Sequence, residues 1–146
     1  MLFSDMGGFQ IVPHMVALAI AYGLALPIGW DREKSTRSAG LRTFPLVALA
    51  SCGFVQASET ILADSPEATA RIVEGLITGI GFIGGGAILK DGLSVHGTAT
   101  AASIWATGAI GTAVGLGALD VAIAITLLTF LTLKLLPIFK QQSGPD

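Results

Sequence analysis

Charge is what this sequence has least of. Only 12% of its 146 residues are Asp, Glu, Lys or Arg, where soluble domains carry roughly a quarter. With 52% hydrophobic residues and a mean hydropathy of +0.75, the chain cannot clothe a water-facing surface and reads as a membrane protein. Cysteine is reduced to one, Cys52, which excludes an internal disulfide; lying in an apolar run with no His close by in sequence, it reads as a small packing residue. His14 and His96 are too few and too far apart in sequence to suggest a zinc site. A formal charge of -2 and a pI of about 5.5 offer no basic surface to nucleic acid. No Lys or Arg precedes the first apolar run in MLFSDMGGFQ, so the charged start of a cleaved signal is missing and the first hydrophobic segment is expected to stay in the mature protein. Ser–His–Asp, Cys–His and paired buried-carboxylate patterns are also absent, so neither an enzyme nor a cofactor is expected.

In place of charge there are long apolar runs, at 11–30, 43–62, 72–89, 98–116 and 118–139. Each is long enough to cross a hydrocarbon core of about 30 Å as a helix, the form that satisfies its own backbone where water is absent. The expected fold is an all-α membrane protein of five transmembrane helices with Gly/Ala-rich packing, one domain over residues 1–146. Arg32, Lys34, Arg37, Arg42, Lys90, Lys134 and Lys140 then share one side of the bilayer, and Arg71 stands on the other. Basic residues mark the cytoplasmic side, which puts the N-terminus outside and the C-terminus inside.

The third run carries a motif that invites another reading. GIGFIGGG, residues 79–86, contains G-x-G-x-x-G at Gly79, Gly81 and Gly84. A dinucleotide-binding turn needs a strand before it and an acidic residue about 20 positions later. Here the flanks are apolar and residues 99–106 read ATAASIWA, so the nucleotide reading fails. In lipid, small residues let helices approach closely enough for van der Waals packing to hold them. Gly75 and Gly79, Gly81 and Gly85, and Gly111 and Gly115 are each four apart, and Ala17, Ala21, Ala25 and Gly29 stripe the first helix. Three uses are open: holding the bundle together, meeting a second copy or partner, or unwinding at Gly84, Gly85 and Gly86 to line a site. A shift of 57 positions also aligns Gly29 with Gly86, Gly40 with Gly97 and Thr43 with Thr100, a pattern that an internal repeat or chance explains equally well.

The first loop is the most chemically loaded segment. Asp31, Arg32 and Glu33 follow Trp30, and Arg42 and Thr43 open the second helix. Its arginines suit anionic headgroups, each worth about 1 kcal/mol near the surface. The helix N-termini near Gly40–Thr43 and Gly97–Thr100 favour an anion, a place that Asp31 or Glu33 would fill by locking the loop against the second and fourth helices. The same two acids are the candidates for Mg²⁺, but among Arg32, Lys34, Arg37 and Arg42 they make a poor cation site, and no metal is assigned. On the opposite side Glu59, Arg71 and Glu74 are expected to neutralise one another. Thr98, Thr100, Ser103 and Thr107 put hydroxyls into the fourth helix, to bond across helices or back to their own carbonyls.

Taken together, GWDREKSTRSAGLRTFPLVALASCG, then Arg71 ahead of GIGFIGGGAILK, then VHGTATAASIWATGAIGTAVGLG resemble the MgtC/SapB family of bacterial inner-membrane proteins, over about residues 13–135. The resemblance implies a multi-pass inner-membrane protein, associated with magnesium homeostasis and stress adaptation. It implies a non-enzymatic modulator of other membrane machines, with the F-type ATP synthase or a transporter as partner, and a homo-oligomer in the lipid bilayer. The alternative is a transporter or channel for Mg²⁺ or another small ion. Residues carried over by motif match are Arg32, Glu33, Gly40, Leu41, Arg42, Thr43, Arg71, Gly79, Gly81, Phe82, Gly84, Gly86, Gly97, Thr100, Ala101, Ala102 and Trp105; Asp31 and Gly85 join them from the residue reading. Two positions depart from the family pattern: its Gly-Leu-Thr-Thr start of the fourth helix is here Gly97, Thr98, Ala99, Thr100, and its Gly-Ala-Gly is Gly84, Gly85, Gly86. Members of the MgtC type carry a soluble C-terminal domain after the fifth helix, so an end at Asp146 implies kinship with short, membrane-only members.

Overall fold

The computed structural model describes residues 11–35, 39–58 and 65–142. Among these, five helices follow one another: α1 (Ile11–Ser35), α2 (Thr43–Ala57), α3 (Pro66–Gly86), α4 (Thr98–Gly115) and α5 (Leu119–Gln142). A small antiparallel hairpin, β1 (Leu89–Asp91) and β2 (Ser94–His96), joins α3 to α4, with Leu89 opposite His96 and Asp91 opposite Ser94. The all-α expectation holds apart from this hairpin, which the sequence reading treated as a plain loop. Two helices, Ile11–Ser35 and Leu119–Pro137, are long and apolar enough to cross a membrane. At 15 residues α2 is apolar but shorter, about 22 Å at 1.5 Å per residue.

Local chemistry explains where the boundaries differ from the apolar runs. α1 continues to Ser35 rather than ending at residue 30, so Asp31, Arg32 and Glu33 are helical and not part of a loop. Arg32 and Lys34 lie in its last turn, where cations complement the helix dipole. α3 begins at Pro66 and not at residue 72: Ser65 Oγ accepts the Ala68 N–H at 3.2 Å, Pro66 needs no N–H partner, and Glu67 occupies the first turn. At its other end α3 runs through Gly86, and the N–H groups of Ala87 and Ile88 bond the carbonyls of Gly84 and Gly85 at 3.0 and 3.1 Å. The unwinding considered at Gly84–Gly86 is therefore not present. α2 ends at Ala57; the remainder of the second apolar run, and Glu59 with it, lie outside the described residues.

α4 is the middle of the bundle and touches α1, α2, α3 and α5. Glycine makes this crowding feasible. A Cβ on Gly111 would overlap the Ala48 carbonyl of α2, one on Gly108 would overlap Ile80 of α3, and one on Gly115 would lie 2.7 Å from Val55 Cβ. From the other side, Gly84 of α3 sits against the Ala101 carbonyl, 3.1 Å from where its Cβ would be. Around these crossings Ile28, Phe44, Val55, Ile104 and Ile110 are fully buried. Ala21, Ala25 and Gly29 bury the small stripe of α1, with Gly29 fitted against Phe44 of α2. Gly86, the counterpart of Gly29 in the 57-residue shift, faces open space, so the packing does not follow that repeat.

α3 stands apart. It rests chiefly on α4, meets α2 only slightly, and buries just Ile80 and Gly84. On either side of it an apolar cavity opens. One of about 440 Å³ lies between α2 and α3, lined among others by Val47, Phe54, Gly75, Gly79 and Ile83. The other, about 310 Å³, lies between α3, α4 and α5, where Trp105 forms part of the wall.

Candidate functional site

The strongest concentration of polar chemistry sits at the C-terminal end of α1. Asp31 and Arg32 are 5% and 7% exposed, an uncommon depth for charged residues unless they are paired. Arg32 donates to one carboxylate oxygen of Asp31, from Nη2 at 2.6 Å and from Nε at 3.2 Å. Lys134, arriving from α5, places Nζ 3.0 Å from the other oxygen. A carboxylate at a helix C-terminus faces the negative end of the dipole, and the two cations offset that cost as well as desolvation. Both Asp31 oxygens are committed to cations, and the trio carries a net positive charge, an arrangement that repels a divalent cation rather than gathering one. Among the described residues there is no group of three or more His, Cys, Asp and Glu placed to hold a metal.

Next to Arg32 in sequence, Glu33 does different work. Its Oε2 accepts the backbone N–H of Leu41 at 2.9 Å, so this acid takes the place at the entrance to α2. Gly40 leaves room for it: a Cβ there would fall on the Glu33 carboxylate and displace it from this position. The Gly40 carbonyl in turn accepts the N–H groups of Thr43 and Phe44 at 3.0 and 3.2 Å, starting α2. Gly29 closes the same corner, its missing Cβ lying 3.4 Å from the Gly40 carbonyl oxygen. Acid, glycine and helix start thus form one clasp between α1 and α2. Arg42 stands exposed at the N-cap of α2 with no side-chain cap bond.

Thr100 is buried, and its Oγ1 has no hydrogen-bond partner. The other α4 hydroxyls show why. Ser103, Thr107 and Thr112 donate to the carbonyls of Ala99, Ser103 and Gly108, four residues back, at 2.5, 2.8 and 2.9 Å. The residue four before Thr100 is His96, which belongs to β2 and lies outside the helix.

The remaining sequence candidates are not gathered here. Arg71, Gly79, Gly81 and Gly85 are exposed on α3, and nothing lies within 4 Å of a Cβ built on any of these glycines. The mutual neutralisation expected of Arg71 and Glu74 is not found: no ion pair engages either among the described residues. Trp105 is half-exposed. Sequence reasoning placed Lys134 at the membrane surface and missed its role beside Asp31. The signal was there: a lone Lys in the apolar α5 has to find either water or a buried acid. Because the Lys134 side chain is 49% exposed, replacing it with Met is expected to cost about 1 kcal/mol or less, read as a small shift in the SDS concentration that unfolds the protein in mixed micelles.

Comparison with known proteins gives one family model, the MgtC family, matching residues 18–142. Protein MgtC of Salmonella typhimurium is 40% identical over 116 residues, which is 80% of this chain and 49% of that protein. Protein MgtC of Brucella abortus is 39% identical over 109 residues, 75% of this chain and 45% of the relative. An uncharacterized protein of Synechocystis is also 39% identical over 109 residues, with 46% of its length covered. The chain spans about half the length of the curated relatives it matches. No solved structure matches it.

Proposed function

Since this chain belongs to the MgtC family, we propose that it is a multi-pass protein of the bacterial inner membrane that modulates other membrane machinery during magnesium limitation and catalyses no reaction itself. In this reading all five helices span the bilayer, with the N-terminus outside and the C-terminus in the cytoplasm. The charge distribution supports that orientation, with Arg32, Lys34, Arg42, Lys90 and Lys134 against Arg71 alone.

The observation that carries the modulator reading is the placement of open space. Both cavities are apolar and flank α3, while the middle of the bundle is filled by α4, whose Ser103, Thr107 and Thr112 hydroxyls turn back onto their own helix. Space of that kind receives apolar side chains from a helix of another membrane protein, such as a subunit of the F-type ATP synthase or a transporter, better than it conducts a hydrated ion. Purified protein in liposomes under a magnesium gradient is expected to give no flux above that of empty liposomes. Co-purification of the F-type ATP synthase is expected with the unaltered chain and not with Gly81→Leu, whose side chain enters open space beside α3. Magnesium flux lost on Asp31→Asn or Glu33→Gln would replace this reading with that of a transporter.

A further inference from the structure

α3 is the helix this bundle holds least: it buries only Ile80 and Gly84 and meets α2 slightly. What separates it from α2 is the cavity of about 440 Å³, and that cavity offers nothing to a polar guest. Its hydroxyls among the described residues turn back onto α2, Ser51 Oγ donating to the Val47 carbonyl at 2.8 Å and Ser58 Oγ to the Phe54 carbonyl at 2.7 Å. Left empty, an apolar gap between helices forfeits the packing contacts of its walls. Its shape selects among apolar guests. On α3 the wall runs from Ile72 to Ile83, about 16 Å at 1.5 Å per residue, close to half of a hydrocarbon core about 30 Å thick. Spread over that length, the volume leaves a mean cross-section of about 27 Å². A helix about 10 Å across needs about 80 Å², so the lane has the calibre of one hydrocarbon chain and the depth of one leaflet.

The mouth carries a matching charge. Ser58 and Ile72 mark the end of the cavity where α2 stops and α3 is under way. Arg71 stands beside Ile72, exposed and engaged in no ion pair among the described residues. Gly75, four positions on and so its neighbour on the helix surface, has nothing within 4 Å of where a Cβ would be, and leaves the way from the guanidinium to the cavity open. Glu74 falls on the opposite side of α3 from Leu76, Gly79 and Ile83 by the helical period. A planar cation above an apolar lane is complementary to a phosphate above an acyl chain.

We propose that the cavity between α2 and α3 binds one glycerophospholipid, an acyl chain lying along Gly75, Gly79 and Ile83 and the phosphate meeting Arg71. The chain supplies the contacts that α2 and α3 do not make with each other. The inference rests on the membrane reading above, which puts this cavity in the outer leaflet, and it leaves the Trp105 cavity and the Gly81 side of α3 to a protein partner.

Purified in a mild detergent, the unaltered chain is expected to retain about one phospholipid per copy, counted by native mass spectrometry. Gly75→Leu and Gly79→Leu, each pointing a side chain into open space on the cavity wall, are expected to lower retention about tenfold, and Arg71→Gln about threefold, with Arg71→Lys close to unaltered. Gly81→Leu, outside the cavity, is expected to leave it unchanged. In liposomes containing phosphatidylethanolamine with a diazirine midway along one acyl chain, illumination is expected to label Val47 and Ile80, which line the cavity though only 8% and 7% exposed. Excess unlabelled phosphatidylethanolamine is expected to abolish that labelling, and inorganic phosphate to leave it. Retention that survives both leucine variants, or labelling confined to open surface such as Leu128, overturns the proposal. If no lipid is retained while the ATP synthase still co-purifies and no magnesium flux appears, the lipid site falls and the modulator reading stands. Lipid retained at Arg71 and Gly79 together with magnesium flux gives the reverse.

Discussion

Gly111→Ala is expected to unfold the bundle or come close to it, although it adds a single methyl group. The position lies where α4 crosses α2, and the added Cβ would overlap the carbonyl oxygen of Ala48 and stand 2.9 Å from its Cα. Overpacking in a well-filled interior usually costs about 1–3 kcal/mol, because side chains move to other rotamers to make room. Backbone has no rotamer to change, so the whole of α2 must shift, and with it the contacts of Phe44, Val47 and Val55. The expected loss is about 3 kcal/mol or more, a large part of the roughly 5–15 kcal/mol that holds a typical protein folded. Gly81→Ala is the matched control: it adds the same methyl to open space on α3 and is expected to leave stability unchanged or raise it by about 0.5–1 kcal/mol through helix propensity. The SDS concentration at half-unfolding in mixed micelles separates the two. Similar values for both variants would show that α2 and α4 do not touch backbone to backbone.

The second large effect belongs to Asp31. Replacing it with Asn leaves the Arg32 guanidinium, 7% exposed, without the carboxylate it grips through two nitrogens. Breaking a buried pair from one side costs up to about 3–5 kcal/mol, and because Arg32 keeps a further contact besides Asp31 the expected loss lies toward the lower end of that range. Arg32→Met strands the carboxylate instead, with only the half-exposed Lys134 to answer it, and a similar loss is expected. Because both single losses count the same broken pair, the double variant Asp31→Asn with Arg32→Met is expected to lose far less than their sum, leaving a coupling of about 1–3 kcal/mol in the double-mutant cycle. Strict additivity in the same micelle titration would mean that the two side chains act separately and that the short distances between them carry little energy.

These two effects also mark what could be read before any coordinates. The five helices were legible because apolar runs of about 20 residues have few other uses. Their ends were less so: Asp31, Arg32 and Glu33 are polar and suggested a loop, yet α1 carries them because partners on α5 and at the start of α2 satisfy them. Glycine spacing showed that close contacts exist without showing which glycines make them. Gly111 with Gly115 and Gly75 with Gly79 have identical spacing, and only the first pair is closed by neighbours. Which side of a helix faces which neighbour depends on how α3 and α4 rotate about their axes, and four-residue spacing is blind to that. The link between Asp31 and Lys134 was hidden for a related reason: a contact between the two ends of a chain leaves no local periodicity.

The connection between α3 and α4 has a mechanical consequence of its own. Gly97 adopts φ +87, and a Cβ there would overlap the Ala87 carbonyl, so the turn into α4 is wedged against the last turn of α3. The hairpin bridging them is stitched by its own ladder from Leu89 to His96. The joint therefore sets the last turn of α3 directly against the first turn of α4, the helix every other one leans on. The most weakly held helix is thus geared to the most central.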